Sequence, residues 1–304
     1  MAGGQERELR RRIKSVNATK KITKAMELIA ASQISKSQAR IHANRPYRDG
    51  MVRLIVEAAS ANKSIAAKML GTPENPKVIT VVCMAGDRGL SGAYNSSALR
   101  ATERLLAEKK ATGAEIRLVT VGKKAPAYFR FRGFDVYQSF QGFSDKPVFE
   151  NAREVAGAIA APFTAGEVDQ VILVSTAYRS AAVQEVVVNQ LLPLPAPEED
   201  VMDGAAPQAA KAAEGYTDFE PDVEHLLAEL APKAVEAEVF TAVLEGAASF
   251  HASQQRAMAA ATENAEELAR TLIRTMNRAR QDAITTEIME IVGGAEALRP
   301  AKGA

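Results

Sequence analysis

Between Gly4 and Pro46 the chain contains neither glycine nor proline, and between Lys233 and Val292 it contains no proline and one glycine, Gly246. Stretches so free of helix breakers, at both ends of one chain, admit little besides long helices. At 1.5 Å per residue they span roughly 60 Å and about 90 Å. Rods of that length need a packed face to be stable in water. Each carries an apolar stripe in steps of four and three. Leu9, Ile13, Val16, Ile22, Met26 and Ile29 form the first; Leu268, Leu272, Met276, Ala279, Ile284, Ile288 and Ile291 form the second. Such near-heptad spacing predicts that the two helices pair, antiparallel, as a coiled coil, with small residues such as Ala257, Ala260, Ala261, Ala265, Ala279 and Ala283 allowing close approach. Pro46 predicts a kink or break in the first helix, Pro232 an interruption near the start of the second, and Gly293-Gly294 its end.

The middle of the chain has a different grammar. Val78–Cys83, Ile116–Val121, Val171–Ser175 and Val183–Val188 are β-branched runs, with Phe134–Phe140 a weaker one. Helical stretches at Ser96–Lys110, Lys124–Gly133 and Pro147–Ala161 alternate with them. That alternation predicts a Rossmann-like α/β layer with a mostly parallel sheet. The expected organisation is a long N-terminal helix over 1–74, a central α/β domain over 75–195, an acidic Pro/Ala-rich linker over 196–221 and a long C-terminal helix over 222–304. Aromatics make up only 5% of the chain and Trp is absent, which disfavours an all-β fold.

A net charge of +1 conceals strong segregation. Residues 1–53 carry 13 Lys and Arg against Glu6, Glu8, Glu27 and Asp49, whereas residues 196–238 are strongly acidic. A basic arm of this kind suits a phosphate backbone, an acidic protein surface or plain solvation. Its single aromatic, Tyr47, offers no stacking platform for single strands. No run of 18 apolar residues is present, so no membrane span is expected, and no apolar run follows the basic N-terminus as a signal peptide requires. The lone cysteine, Cys83, excludes an internal disulfide and, inside an apolar strand, is expected to be inert.

Catalytic motifs are missing. Gly86, Asp87, Arg88, Gly89 and Gly92 follow the first strand, where α/β domains bind phosphate. Their G-x-x-G-x-x-G spacing matches neither the dinucleotide fingerprint nor a P-loop, so a structural turn is expected, with Asp87 and Arg88 in a local ion pair or against a partner. His42, His225 and His251 share no metal-ligand spacing. Neither a metal nor a cofactor is expected. A basic coiled-coil scaffold or nucleic-acid binder, and a nucleotide-binding α/β enzyme with helical extensions, stand as the alternatives at this point.

Several ordered motifs resemble the gamma subunit of F-type ATP synthases of the bacterial type. SVNATKKITKAMELIAAS (Ser15–Ser32), SQARIHANRPY (Ser37–Tyr47), GDRGLSGAYN (Gly86–Asn95), NQLLPLP (Asn189–Pro195) and FEPD (Phe219–Asp222) occur in that family's order. The longest run of all is ATENAEELARTLIRTMNRARQDAITTEIMEIVGGAEAL, Ala261–Leu298. The resemblance implies a non-catalytic rotary shaft, one copy per complex, inside a 3:3 hexamer of alpha and beta subunits. It implies further contacts with the epsilon subunit and a proton-translocating membrane ring, no nucleic acid, no cofactor, and a peripheral place on the cytoplasmic face of the cell membrane.

Carried over position by position, the resemblance makes Met26 part of the stator contact, with Lys20, Lys21 and Lys24 nearby. Gln281 and Thr285 match a polar pair that meets beta-subunit loops. Many bacterial relatives place an Arg where this chain has Gln254, and Arg256 lies two residues on. Ser91 stands in place of the family's usual Cys, and the paired cysteines of chloroplast-type redox regulation are lacking.

Overall fold

A computed structural model describes residues 2–61, 73–194 and 223–297. The acidic linker, the Phe219–Asp222 run and residues 62–72 of the expected first helix lie outside these residues, and residues 73 and 74 are not helical. Helix α1 spans Ala2–Ala61 and is followed by β1 (Val78–Met84), α2 (Tyr94–Ala111), β2 (Glu115–Val121), α3 (Lys124–Phe131) and β3 (Gln138–Phe140). Helix α4 (Phe149–Thr164), β4 (Gln170–Tyr178), β5 (Gln184–Leu192) and α5 (Val223–Ala297) complete the chain. Two compact units emerge: residues 1–29 with 255–304, and residues 30–254.

The larger unit is built on a five-stranded sheet ordered β3-β2-β1-β4-β5. β1 pairs parallel with β2 and β4, β2 pairs parallel with β3, and only β5 runs antiparallel, along β4. The sheet is therefore mostly parallel, as the alternating pattern predicts. Period-two alternation divides its side chains between two layers. Ile79, Val81 and Cys83 pack with Leu99, Leu106 and Phe129 of α2 and α3. Val82 and Met84 turn the other way, onto Val155 and Ile159 of α4, Met51 and Ile55 of α1, and Val235 and Val239 of α5. Burial on both faces explains why β1 reads as a continuous apolar run rather than an alternating one. β3 is shorter than Phe134–Phe140, because Phe134 N–H turns back to the Phe129 carbonyl instead of joining a ladder.

In the smaller unit the first part of α1 lies antiparallel to the last part of α5. The pairing is fixed by a hydrogen bond between Thr262 and Thr23 and an ion pair between Lys20 and Glu266 at 3.0 Å. The packed face of α1 is Leu9, Ile13, Val16, Lys20 and Thr23, continuing in strict steps of four and three. That of α5 is Met258, Thr262, Ala265, Ala269, Leu272, Met276, Ala279 and Ala283. The stripe expected from hydrophobicity alone differs from this one. Ile22 and Ile29 are 61% and 60% exposed, Leu268 is exposed where its neighbour Ala269 is buried, and Ile284, Ile288 and Ile291 are exposed too. A strict heptad seam passes through Lys20 and Thr23, so the apolar residues flanking it face outward. Ala260 is likewise exposed, outside the close approach foreseen for it.

Neither proline breaks its helix, and the Gly293-Gly294 pair does not end α5. Pro46 lies inside α1 and Pro232 inside α5. The carbonyl that loses its partner to Pro46 belongs to His42, an exposed residue, so solvent can satisfy it while Met51 and Ile55 anchor the next turns. Gly293 and Gly294 take no left-handed φ, so α5 runs on to Ala297.

Candidate functional site

The glycine turn after β1 is filled by its own side chains. The Asp87 carboxylate accepts from the backbone N–H of Gly142 and Ser144, both at 2.9 Å, from Lys123 N–H at 3.1 Å and from the Ser144 hydroxyl at 2.8 Å. Asp87 N–H in turn donates to Ser144 Oγ at 2.7 Å, and Gly86 N–H donates to Asn95 Oδ1 at 2.7 Å. Asn95 Nδ2 closes the turn on the Arg88 carbonyl at 3.0 Å. These hydrogen bonds to the charged form outweigh partial burial and hold the Asp87 carboxyl below its usual value. An anion site in this crevice would need the N–H groups that Asp87 already occupies, so the arrangement suits a rigid turn rather than a phosphate cradle.

Asp87 and Arg88 do not pair with one another. Arg88 reaches across to Asp145 at 2.8 Å. Asp145 in turn offers its carbonyl to Nε2 of the buried His251 of α5, at 3.4 Å. Phe250 meets Tyr94 edge to face at 5.6 Å and also lies 3.3 Å from where a Gly86 Cβ would sit. The turn is thus clamped between the 141–147 loop and α5. Asn95 belonged to a visible motif, but Ser144, Asp145, Phe250 and His251 carry no sequence signal that would have joined them to it. Gly122 completes the corner at the end of β2. Its φ is +91°, and a Cβ there would fall 2.2 Å from the Ala85 carbonyl oxygen. Leu90, at φ +62° and 63% exposed, stands at the crest of the turn.

The residues assigned to the stator contact fall into different settings. Lys20 is engaged with Glu266 of α5, and Lys24 with Glu27 one turn along α1 at 2.9 Å. Lys21 is exposed, and Met26 is half-buried between exposed Ile22 and Ile29. Gln281 and Thr285 lie exposed on α5, as does Arg256, while Gln254 is half-buried beside the His251 ring. Beyond Ala283, the described side chains of α5 are all exposed, and Ile284, Ile288, Ile291 and Val292 repeat at helical spacing. Among the described residues no three His, Cys, Asp or Glu side chains converge as a metal site, and no helix is long and apolar enough to cross a membrane. Burial pushes the Cys83 thiol up to about 12.

A family model described as ATP synthase matches residues 5–298. The ATP synthase gamma chain of Parafrankia sp. (strain EAN1pec) is 46% identical over 97% of this chain and 98% of its own length. That of Streptomyces coelicolor is 40% identical over 98% of both chains. Among solved structures, a chain of the Euglena gracilis mitochondrial ATP synthase superposes with a TM-score of 0.68 at 17% identity, covering 99% of this chain and 97% of that one. A chain from the central stalk and c-ring of the Tetrahymena thermophila mitochondrial enzyme gives a TM-score of 0.60 at 24% identity, over 79% of this chain and 99% of that one. Full-length similarity at this level, on a fold in which both terminal helices pair, makes the chain a member of the ATP synthase gamma chain family.

Proposed function

We propose that the chain is the central shaft of an F-type ATP synthase, turning within a 3:3 hexamer of alpha and beta subunits. Its α/β body rests with the epsilon subunit on a proton-driven membrane ring, at the cytoplasmic face. One copy serves each complex. As a gamma chain it is a non-catalytic rotor subunit, and bond chemistry belongs to other subunits. The observation that supports this reading best is the end of α5, where Ile284, Ile288, Ile291 and Val292 form an apolar face that no described residue of the smaller unit covers. A surrounding collar of partner subunits is the natural cover for it.

A rotor can drive a partner through its states only by binding those states unequally. An eccentric helix pair offers a different face to each beta subunit as it turns, which supplies that inequality. Each elementary charge crossing 100 mV contributes about 2.3 kcal/mol, so several protons per catalytic event provide the work that a stiff shaft must transmit. Rods without internal glycine turns suit that task.

Tagged chain recovered from gently solubilised membranes should bring alpha, beta and epsilon subunits in a 3:3:1 pattern together with ATPase activity. Recovery of the chain with nucleic acid, or alone with bound nucleotide, would refute the proposal.

A further inference from the structure

We infer that two polar layers, three heptads apart, set the antiparallel register of α1 and α5, and that Thr23, Thr262, Asn44 and Thr241 are positioning residues for it. In the smaller unit, Thr262 Oγ1 lies 2.8 Å from both Thr23 Oγ1 and the Met258 carbonyl oxygen. Thr23 donates its own proton to the Lys20 carbonyl at 3.1 Å, which leaves its oxygen to accept from Thr262. In the larger unit, taken by itself, Asn44 Nδ2 donates to Thr241 Oγ1 at 2.9 Å, and Thr241 donates to the Ala237 carbonyl at 2.8 Å. Each layer is flanked by an ion pair between the helices, Lys20 with Glu266 and Arg48 with Glu238 at 2.9 Å. From Thr23 to Asn44 along α1, and from Thr262 back to Thr241 along α5, the interval is the same whole number of heptads. The device therefore occurs once in each unit.

The need for such a device follows from the seam. A stripe that repeats every seven residues fits nearly as well after a slip of one heptad, about 10.5 Å along the axis. Alanines at 265, 269, 279 and 283 oppose such a slip weakly, since small residues interlock poorly. The polar layers oppose it strongly. After one heptad in either direction, Thr23 meets Ala269 or Gln255, and Lys20 meets Ile273 or Ala259. In the larger unit Asn44 meets Ala248 or Ala234. Half-buried donors would lose their partners in both layers. Register matters because it fixes how far the exposed end of α5 reaches past the start of α1. The inference rests on the helix pairing alone, not on the rotary reading.

The test uses the full-length chain with Cys83→Ser, so that paired cysteines can report register by disulfide formation. Leu9→Cys with Met276→Cys lies two heptads from the threonine pair and reports the observed register. Val16→Cys with Met276→Cys reports a slip of one heptad. Without further change, the first pair should oxidise at least tenfold faster than the second. Thr23→Val with Thr262→Val, combined with Asn44→Leu and Thr241→Val so that both layers are removed, should raise the slipped pair at least tenfold. Thr262→Ala with Ala269→Thr, together with Thr241→Ala and Ala248→Thr, moves both layers by one heptad at constant composition, and there the slipped pair should dominate. Thr23→Ser with Thr262→Ser keeps both hydroxyls and should behave as the unaltered chain does. If the slipped pair stays slow in both the valine and the relocated variants, or rises equally in the serine variant, the inference is overturned.

Discussion

Asp87→Ala is the substitution from which the turn has most to lose. The carboxylate holds three backbone N–H groups and one hydroxyl, drawn from the start of α3 and from the 141–147 loop. A hydrogen bond to a charged group contributes about 1.5–3 kcal/mol net, and each buried donor left without a partner costs about 1–3 kcal/mol. Asp87 is only part-buried, so water recovers some of this, and roughly 3 kcal/mol is the expected loss. The chain supplies its own reporter. Cys83 is fully buried in β1, four residues before Asp87, and its thiol reacts only when the sheet opens. A loss of about 3 kcal/mol should therefore speed labelling by a pyridyl disulfide roughly a hundredfold in the full chain at pH 7. Asp87→Asn should lose nearly as much, because it turns one acceptor into a donor facing other donors. The acid dependence follows with a definite sign. Asp87 titrates lower when folded, so its contribution is full above the ordinary aspartate range and is lost as pH falls through the depressed value. Acceleration of less than about fivefold in Asp87→Ala would show that the turn is held by packing rather than by its carboxylate.

Two further outcomes are expected. Met26→Lys places a charge at a half-buried position between exposed Ile22 and Ile29, and should lower protons pumped per ATP hydrolysed in membrane vesicles while ATPase activity persists; an unchanged ratio would leave Met26 a packing residue. Burial holds the His251 imidazole below its ordinary value, against the opposing pull of Asp145 and Gln254, so the ring folds neutral. Stability should thus be full above pH ~6.5 and decline as pH falls toward the depressed folded value, since the unfolded chain takes up the proton first. His251→Gln should flatten that slope between pH 7.5 and 5.5 in thermal unfolding, and an unaltered slope would rule His251 out as its source.

The α/β layer was legible because buried parallel strands write continuous β-branched runs, as β1 does at Val78–Met84. The helix pair was legible for the opposite reason: the absence of breakers over long stretches. What misled was hydrophobicity as a guide to the seam. Thr23, 9% exposed, is in the packed face, while Ile22 beside it is 61% exposed. A strict heptad count from Leu9 lands on Thr23, whereas apolar side chains lead to Ile22, and the two readings part where polar residues enter the seam. Proline, likewise, breaks neither helix. A helix tied down on either side tolerates the loss of one exposed hydrogen bond, which composition alone does not reveal. The clamp on the glycine turn was illegible because Asp87, Ser144, Asp145 and His251 meet only through the fold.

The basic arm shows what the structure adds, because it sorts charges that the sequence leaves equivalent. Lys20, Lys21 and Lys24 are neighbours in one motif, yet Lys20 faces Glu266 of α5 and Lys24 faces Glu27, and Lys21 points outward. Arg10 and Arg12 are likewise held by Glu6 and Glu8, and Arg48 by Glu238. Much of the arm is therefore committed within the chain, and a stator lined with acids would meet Lys21 before its neighbours. The two lysines should separate experimentally. Lys20→Ala removes an ion pair with both side chains partly exposed and should destabilise the isolated chain only slightly, and less in high salt. Lys21→Ala should leave the isolated chain unchanged and, if the proposed stator contact includes Lys21, reduce the salt sensitivity of ATP-driven proton pumping in the assembled enzyme. Equal effects of the two on isolated-chain stability, with none from Lys21→Ala in the complex, would place the stator contact elsewhere on the helix.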